Sequence, residues 1–386
     1  MIQIIYHNAV LRLWQNRQNY VYYEVDFALK RLLPGALLLV MLLTGCTPSQ
    51  AETPFPSPAE TPNPSPEATD YARVDIFAMD TVMTLQVYGA GAEDHLSAIS
   101  YEINRLERDL SVTRETSDVW AVNHSDGKTV SVGEDALYLA TLARELGDRT
   151  VGALDVTMYP VVKLWGFTTS EYHVPSQEEI SQVLEQVDYT ALEISEADMT
   201  LTLPAGMEMD LGAIAKGYAG EKAADLLRER GVTTALLNMG GNVQTVGAKT
   251  DGSPWRIGIQ DPNGDHGAYV GVLQVIDQAA VTSGGYERYF EQDGVTYWHI
   301  MDPHTGAPAR SGLTSVTIVG DKGGLCDGLS TSLFVLGREK AIDYWRTYGG
   351  FEAILVEDRE VWITGGLADS FALMPDKGYT LHIVEE

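Results

Sequence analysis

Apolar and polar side chains alternate most clearly at Thr81 to Tyr88, where Met83, Leu85 and Val87 fall on one face and Val82, Thr84, Gln86 and Tyr88 on the other. A period of two predicts a strand with one buried face. The period then lengthens. Leu96, Ile99, Ile103, Leu106 and Leu110 recur at three- and four-residue spacing, with Glu102, Arg105, Glu107 and Arg108 between them, which predicts an amphipathic helix. A second helix is predicted at about 134–146, stopped by Gly147. A third opens at Ser176-Gln-Glu-Glu179, a capping box that follows Pro175.

Beyond residue 200 the runs are shorter. Strands are predicted at 201–203, 234–237, 243–247, 256–260, 270–276, 296–300, 315–319, 353–357 and 361–364, and helices at about 219–230, 325–336 and 339–348. Hairpins mixed with helices, without a regular alternation, predict an α+β fold of mixed sheets with packed helices. No internal repeat is present, and no linker interrupts residues 71–386, which read as a single compact body.

The start of the chain has a different character. Lys30-Arg31 precede the apolar run Leu32 to Leu43, too short to span a bilayer comfortably and read as the core of a signal peptide. Leu43-Thr-Gly-Cys46 resembles a bacterial lipobox, so residues 1–45 are expected to be a signal peptide with a long leading segment. Cys46 is then the lipid-bearing first residue, and residues 46–70, rich in proline, are an extended tether. The expected location is the extracytoplasmic face of the cell membrane; the alternative is one uncleaved anchor helix.

A formal net charge of -28 over 386 residues excludes nucleic acid as a partner and requires any anionic substrate to be handled locally. Asp210-Leu-Gly-Ala-Ile-Ala-Lys-Gly217 supplies a carboxylate, flexible backbone and a lysine within two helical turns. Lys216 at a helix start opposes the dipole unless an anion lies there. Asp327 and Thr331, four residues apart, share one helix face, and hard oxygens so placed suit Mg²⁺. Thr282-Ser-Gly-Gly-Tyr-Glu-Arg-Tyr289 offers hydroxyls, glycine amides and an arginine to a phosphate. His299 and Asp302 flank a strand end, where the histidine acts as base, orients a phosphate, or is merely packed. Asn238-Met-Gly-Gly-Asn242 admits a ligand or simply closes a hairpin.

These segments, with Met79-Asp-Thr-Val-Met83, Leu154-Asp-Val-Thr157 and Leu164-Trp-Gly-Phe167, occur in the order seen in the ApbE family, which the chain resembles from about Ala78 to Gly337. The resemblance implies an ApbE-like (T-fold-like) body and an FAD:protein FMN transferase. FAD is the substrate, and its FMN moiety passes to a threonine or serine hydroxyl of an acceptor protein, with release of AMP. It further implies Mg²⁺ held by Asp327, Thr331 and the Ala213 carbonyl, and FAD contacts at Met79, Ala153, Leu154, Asp155, Asp210, Lys216 and Met301. His299, then Asp302, are the candidate bases. Family acceptors are membrane redox subunits carrying a short Asp-x-x-Thr segment. Asp80 stands where the family often has glycine, and is expected either to add a metal contact or to shift the balance between transfer and hydrolysis. The rival readings are a FAD pyrophosphatase and a non-catalytic flavin-binding lipoprotein.

Overall fold

The computed structural model describes residues 71–265 and 267–385. The expected signal peptide, Cys46 and the tether fall on residues 1–70, outside the described residues. Nine strands form the main sheet, and their order in space is their order in the chain: β1 (Tyr71–Ala78), β2 (Thr81–Tyr88), β3 (Ala235–Asn238), β4 (Val243–Val246), β5 (Ala279–Gly284), β6 (Ser315–Gly320), β7 (Glu352–Glu357), β8 (Glu360–Thr364) and β9 (Thr380–Val384). Neighbours pair antiparallel except β8 and β9, which run parallel.

The strand predicted at Thr81 to Tyr88 is β2, and its inward residues Met83, Leu85 and Val87 are fully buried. Its partner β1 and the last strand β9 escaped the sequence reading. Both are edge strands at opposite ends of the sheet; β1 does alternate, with Ala72, Val74, Ile76 and Ala78 toward the core, but apolar Tyr71 and Phe77 on its outward face blur the pattern. Met79 and Asp80 link β1 to β2 with φ of 50° and 59°. A two-residue turn with both φ positive matches the twist of the strands it joins and favours Gly, Asn or Asp.

The largest core packs α1 (Ala92–Leu110), α2 (Gly212–Glu229) and α3 (Gly323–Leu336) on one face of the sheet, joined by helices Glu134–Arg149 and Arg338–Tyr348. Helix α1 has no side-chain cap at Gly91 but buries Ala92, Leu96, Ile99, Ile103, Leu106 and Leu110. A cap contributes about 1 kcal/mol, whereas each large apolar side chain fully buried contributes about 1.5–3 kcal/mol, so packing holds this helix. On the other face, strands Trp255–Gln260, Tyr269–Val275 and Phe371–Leu373 form a small sheet, and Trp255, Ile259, Leu273 and Phe371 pack with Val319, Ile354 and Ile363 of the main one. A third cluster joins Met158, Val161, Trp165, Phe167, Ile180 and Met301 beneath the hairpin of Tyr289–Gln292 and Val295–Trp298.

Helix α2 begins at Gly212, seven residues before the predicted start, so most of the segment Asp210 to Gly217 is helix rather than an entering loop. Of its glycines, which weaken a helix in isolation, Gly217 is required by packing. A Cβ on Gly217 would meet the Gly323 carbonyl oxygen at 2.1 Å, and one on Gly323 would meet the Gly217 carbonyl oxygen at 2.3 Å. The α2 and α3 backbones therefore touch, which no other residue type would permit.

Candidate active site

The touching helices form one wall of a cleft of about 1050 Å³. Asp327, in the second turn of α3, is 4% exposed and has both carboxylate oxygens engaged. The Gly217 amide donates to its Oδ2 at 2.7 Å, and the Asn242 side-chain amide to its Oδ1 at 3.0 Å. Ala213, in the first turn of α2, lines the same cleft as Asp327 and Thr331. Burial pushes the Asp327 carboxyl above its ordinary range, opposed by the Lys216 charge, the Gly217 amide and Asn242. One turn on, Thr331 Oγ1 lies 3.2 Å from Ser283 Oγ, itself 2.7 Å from Ser330 Oγ.

This set fits a hard divalent cation. Asp327 is a carboxylate short of water, and its companions Thr331 and the Ala213 carbonyl offer further hard oxygens. Among the described residues, no three His, Cys, Asp or Glu side chains converge to hold a metal. A cation here would therefore take few ligands from the protein, the usual state of Mg²⁺ beside substrate phosphates.

Lys216 stands at the centre of the charge pattern, its positive field reaching Asp210, Glu287, His299 and Asp327. Asp210 Oδ1 accepts the Gly212 amide at 2.8 Å, closing the turn that starts α2. Loss of hydration raises the Asp210 carboxyl, and Lys216 and Arg288 oppose that shift. Met79 and Asp80 line the cleft from the β1–β2 turn, and Ala153, Leu154, Asp155 and Met301 line it from other segments. The Asp155 oxygens are committed within the fold: Oδ1 accepts from the Thr157 amide at 2.7 Å and hydroxyl at 2.6 Å, and Oδ2 from the Tyr189 amide at 3.1 Å.

The opposite wall holds His299. Its Nδ1 is 3.2 Å from the Arg288 carbonyl oxygen, which also accepts the His299 amide at 3.0 Å. A carbonyl can only accept, so Nδ1 carries the proton and Nε2 keeps its lone pair. Withdrawal from water, with Arg288 and Lys216 nearby, lowers the imidazole to about 3, so the ring is neutral at physiological pH. Asp302 does not join the other candidates. It is not among the residues that line the cleft, and its Oδ1 accepts the His304 amide at 2.9 Å.

Three residues of the site have roles that the sequence does not assign them. Asn242 was read only as part of a glycine turn, yet it orients Asp327. Arg288 holds His299 through its carbonyl, and its Nη2 donates to the Phe167 carbonyl at 2.8 Å. Glu287 faces the cleft, where loss of hydration pushes it up to about 7; the Asp327 charge adds to that shift while Lys216 and Arg288 oppose it. A carboxylate two residues past a glycine pair carries no signal of its own; only the folded cleft reveals it.

The ApbE family model matches residues 79–355. The chain belongs to the ApbE family. It is 33% identical over 322 residues to a FAD:protein FMN transferase from Treponema pallidum, covering 78% of this chain and 88% of that one. A FAD:protein FMN transferase from Klebsiella pneumoniae is 36% identical over 281 residues, covering 72% of this chain and 86% of the relative. The solved ApbE protein of Thermotoga maritima superposes with a TM-score of 0.70 at 34% identity, covering 75% of this chain and 94% of its own. A flavinyl transferase ApbE from Pseudomonas stutzeri superposes with a TM-score of 0.67 at 30% identity, covering 75% of this chain and 92% of its own. The α+β architecture expected from the sequence is the one these ApbE structures share. Asp80, where the family often has glycine, occupies a left-handed position that glycine and aspartate both tolerate.

Proposed function

We propose that this chain is a FAD:protein FMN transferase. The observation that carries this reading is the junction of α2 and α3, where Asp327, Thr331, Ala213 and Lys216 line one cleft large enough for a dinucleotide. The acceptor hydroxyl oxygen attacks the FMN-side phosphorus of FAD, and the bond from that phosphorus to the bridging oxygen breaks. AMP departs with the bridging oxygen, and the flavin remains on the acceptor as a phosphoester.

Lys216 offsets pyrophosphate charge in a protein otherwise strongly acidic. Asp327, Thr331 and the Ala213 carbonyl would hold Mg²⁺, which when bound supplies Lewis-acid stabilisation of the phosphoryl oxygens. The His299 Nε2 lone pair takes the hydroxyl proton. Its low proton affinity in the free protein rises when a pyrophosphate places negative charge beside it, the direction expected for an imidazole near an anion. Arg288 keeps that lone pair directed by occupying Nδ1.

The lipid anchor on Cys46, the extracytoplasmic membrane location and an acceptor among membrane redox subunits with an Asp-x-x-Thr segment belong to the same proposal. They rest on the lipobox resemblance and on the family. Among the described residues no helix is long and apolar enough to cross a membrane. The function is tested by the balance of products with FAD, Mg²⁺ and an acceptor present: one AMP per flavin retained on denatured acceptor is expected. AMP matched by free FMN would instead indicate a FAD pyrophosphatase, and a stable FAD complex without turnover a binding lipoprotein.

A further inference from the structure

A transferase must bring a protein hydroxyl to its cleft, and this requirement draws attention to the open end of the sheet. Leu236 and Asn238 of β3 line the cleft, and their register partners on β2 are Gln86 and Thr84. Side chains two apart on a strand, and those directly opposite across strands, share one face. The same face therefore runs from the cleft along β2 to Val82, which pairs with Phe77 on β1. Phe77 is 61% exposed and Val82 62%.

Those two residues flank Met79, Asp80 and Thr81, three consecutive residues that line the cleft. The tip is held rigidly. A Cβ on Gly240 would meet Thr81 Oγ1 at 2.2 Å, so the start of β2 packs directly on the turn that leads to Asn242 and hence to Asp327. Among the described residues β1 has a neighbour on one side only. Among the described residues, this is an apolar pair exposed at a sheet edge beside the rim of the site, a place where another chain can dock.

We propose that Phe77 and Val82 form the docking surface for the acceptor protein, receiving apolar side chains that neighbour the modified threonine or serine and guiding its hydroxyl past the Met79–Asp80 turn. This rests on the transferase reading and adds to it what the acceptor must carry: an apolar flank beside the hydroxyl.

The test uses the full chain with FAD, Mg²⁺ and two synthetic peptides that share an Asp-x-x-Thr core, one flanked by leucine and isoleucine and the other by serine and lysine. The wild type is expected to favour the apolar peptide in kcat/KM by about tenfold, the ratio set by roughly one buried side chain. The double variant Phe77→Ser, Val82→Thr is expected to lose that preference while binding FAD with unchanged affinity, which also shows that it is folded. Equal use of the two peptides by the wild type, or a preference that survives the double substitution, overturns the docking surface. FAD cleavage with neither peptide labelled would defeat the transferase reading itself, and the docking surface with it.

Discussion

On the helix side of the cleft, Asp327 is buried with both oxygens bonded and its neighbours Gly217 and Gly323 touch backbone to backbone. On the other side, His299 is held through one carbonyl, and Asp302 turns to its own loop. The first wall is set by two long helices fused at a glycine crossing; the second by short strands at the base of a hairpin. In the proposed function the cation and the pyrophosphate lie on the first wall and the base, His299, on the second, so each wall can be tested separately.

That contrast can be broken at either wall. Asp327→Ala is expected to abolish turnover at any Mg²⁺ concentration, since it removes the one charged ligand; activity restored by added metal would remove the site from α3. His299→Ala is expected to lower kcat by about 10²–10⁴-fold, the range for a general base, with little change in FAD affinity measured by fluorescence. The same residue has a pH signature. Its folded value near 3 lies below the ordinary 6.5, so the unfolded chain takes up a proton between those values that the folded one refuses. Stability from this group is then present above about pH 6.5 and lost as pH falls toward 3. Thermal melts of His299→Gln over that window should fall less steeply than the wild type's, and parallel curves would contradict the shift.

Smaller changes sharpen the contrast further. Asn242→Ala should weaken metal affinity by about 10–100-fold, as for other groups that orient a ligand, leaving kcat at saturating Mg²⁺ close to normal. Gly217→Ala should cost about 1–3 kcal/mol or more, read from denaturant midpoints, because it forces the two helices apart. Asp80→Gly should change stability by only a few tenths of a kcal/mol, since both residues tolerate the left-handed turn. Its metal dependence and products decide the role expected of Asp80: a change in either supports a metal contact or a shifted balance between transfer and hydrolysis, and wild-type behaviour removes it.

Much of this was legible in the chain. The alternation of β2, the stripe of α1 and the i, i+4 pair Asp327 and Thr331 depend on local spacing, which a sequence displays directly. The helical start at Gly212 was hidden because glycine reads locally as a turn, whereas here its neighbour Gly217 is demanded by a contact with Gly323 more than a hundred residues away. Glu287, Asn242 and the Arg288 carbonyl were hidden for a related reason. Their importance lies in partners brought close only by the fold: Asp327 for the first two and His299 for the third. The edge strand β1 was missed because its core-facing Ala72, Val74, Ile76 and Ala78 include two small side chains while its outward Tyr71 and Phe77 are apolar as well, which masks the period of two.

The most direct measurement is the intact mass of a purified acceptor carrying an Asp-x-x-Thr segment after incubation with FAD, Mg²⁺ and this protein. The wild type should add one FMN-sized increment to the acceptor, and Asp327→Ala none. An acceptor of unchanged mass beside free FMN and AMP would contradict the account.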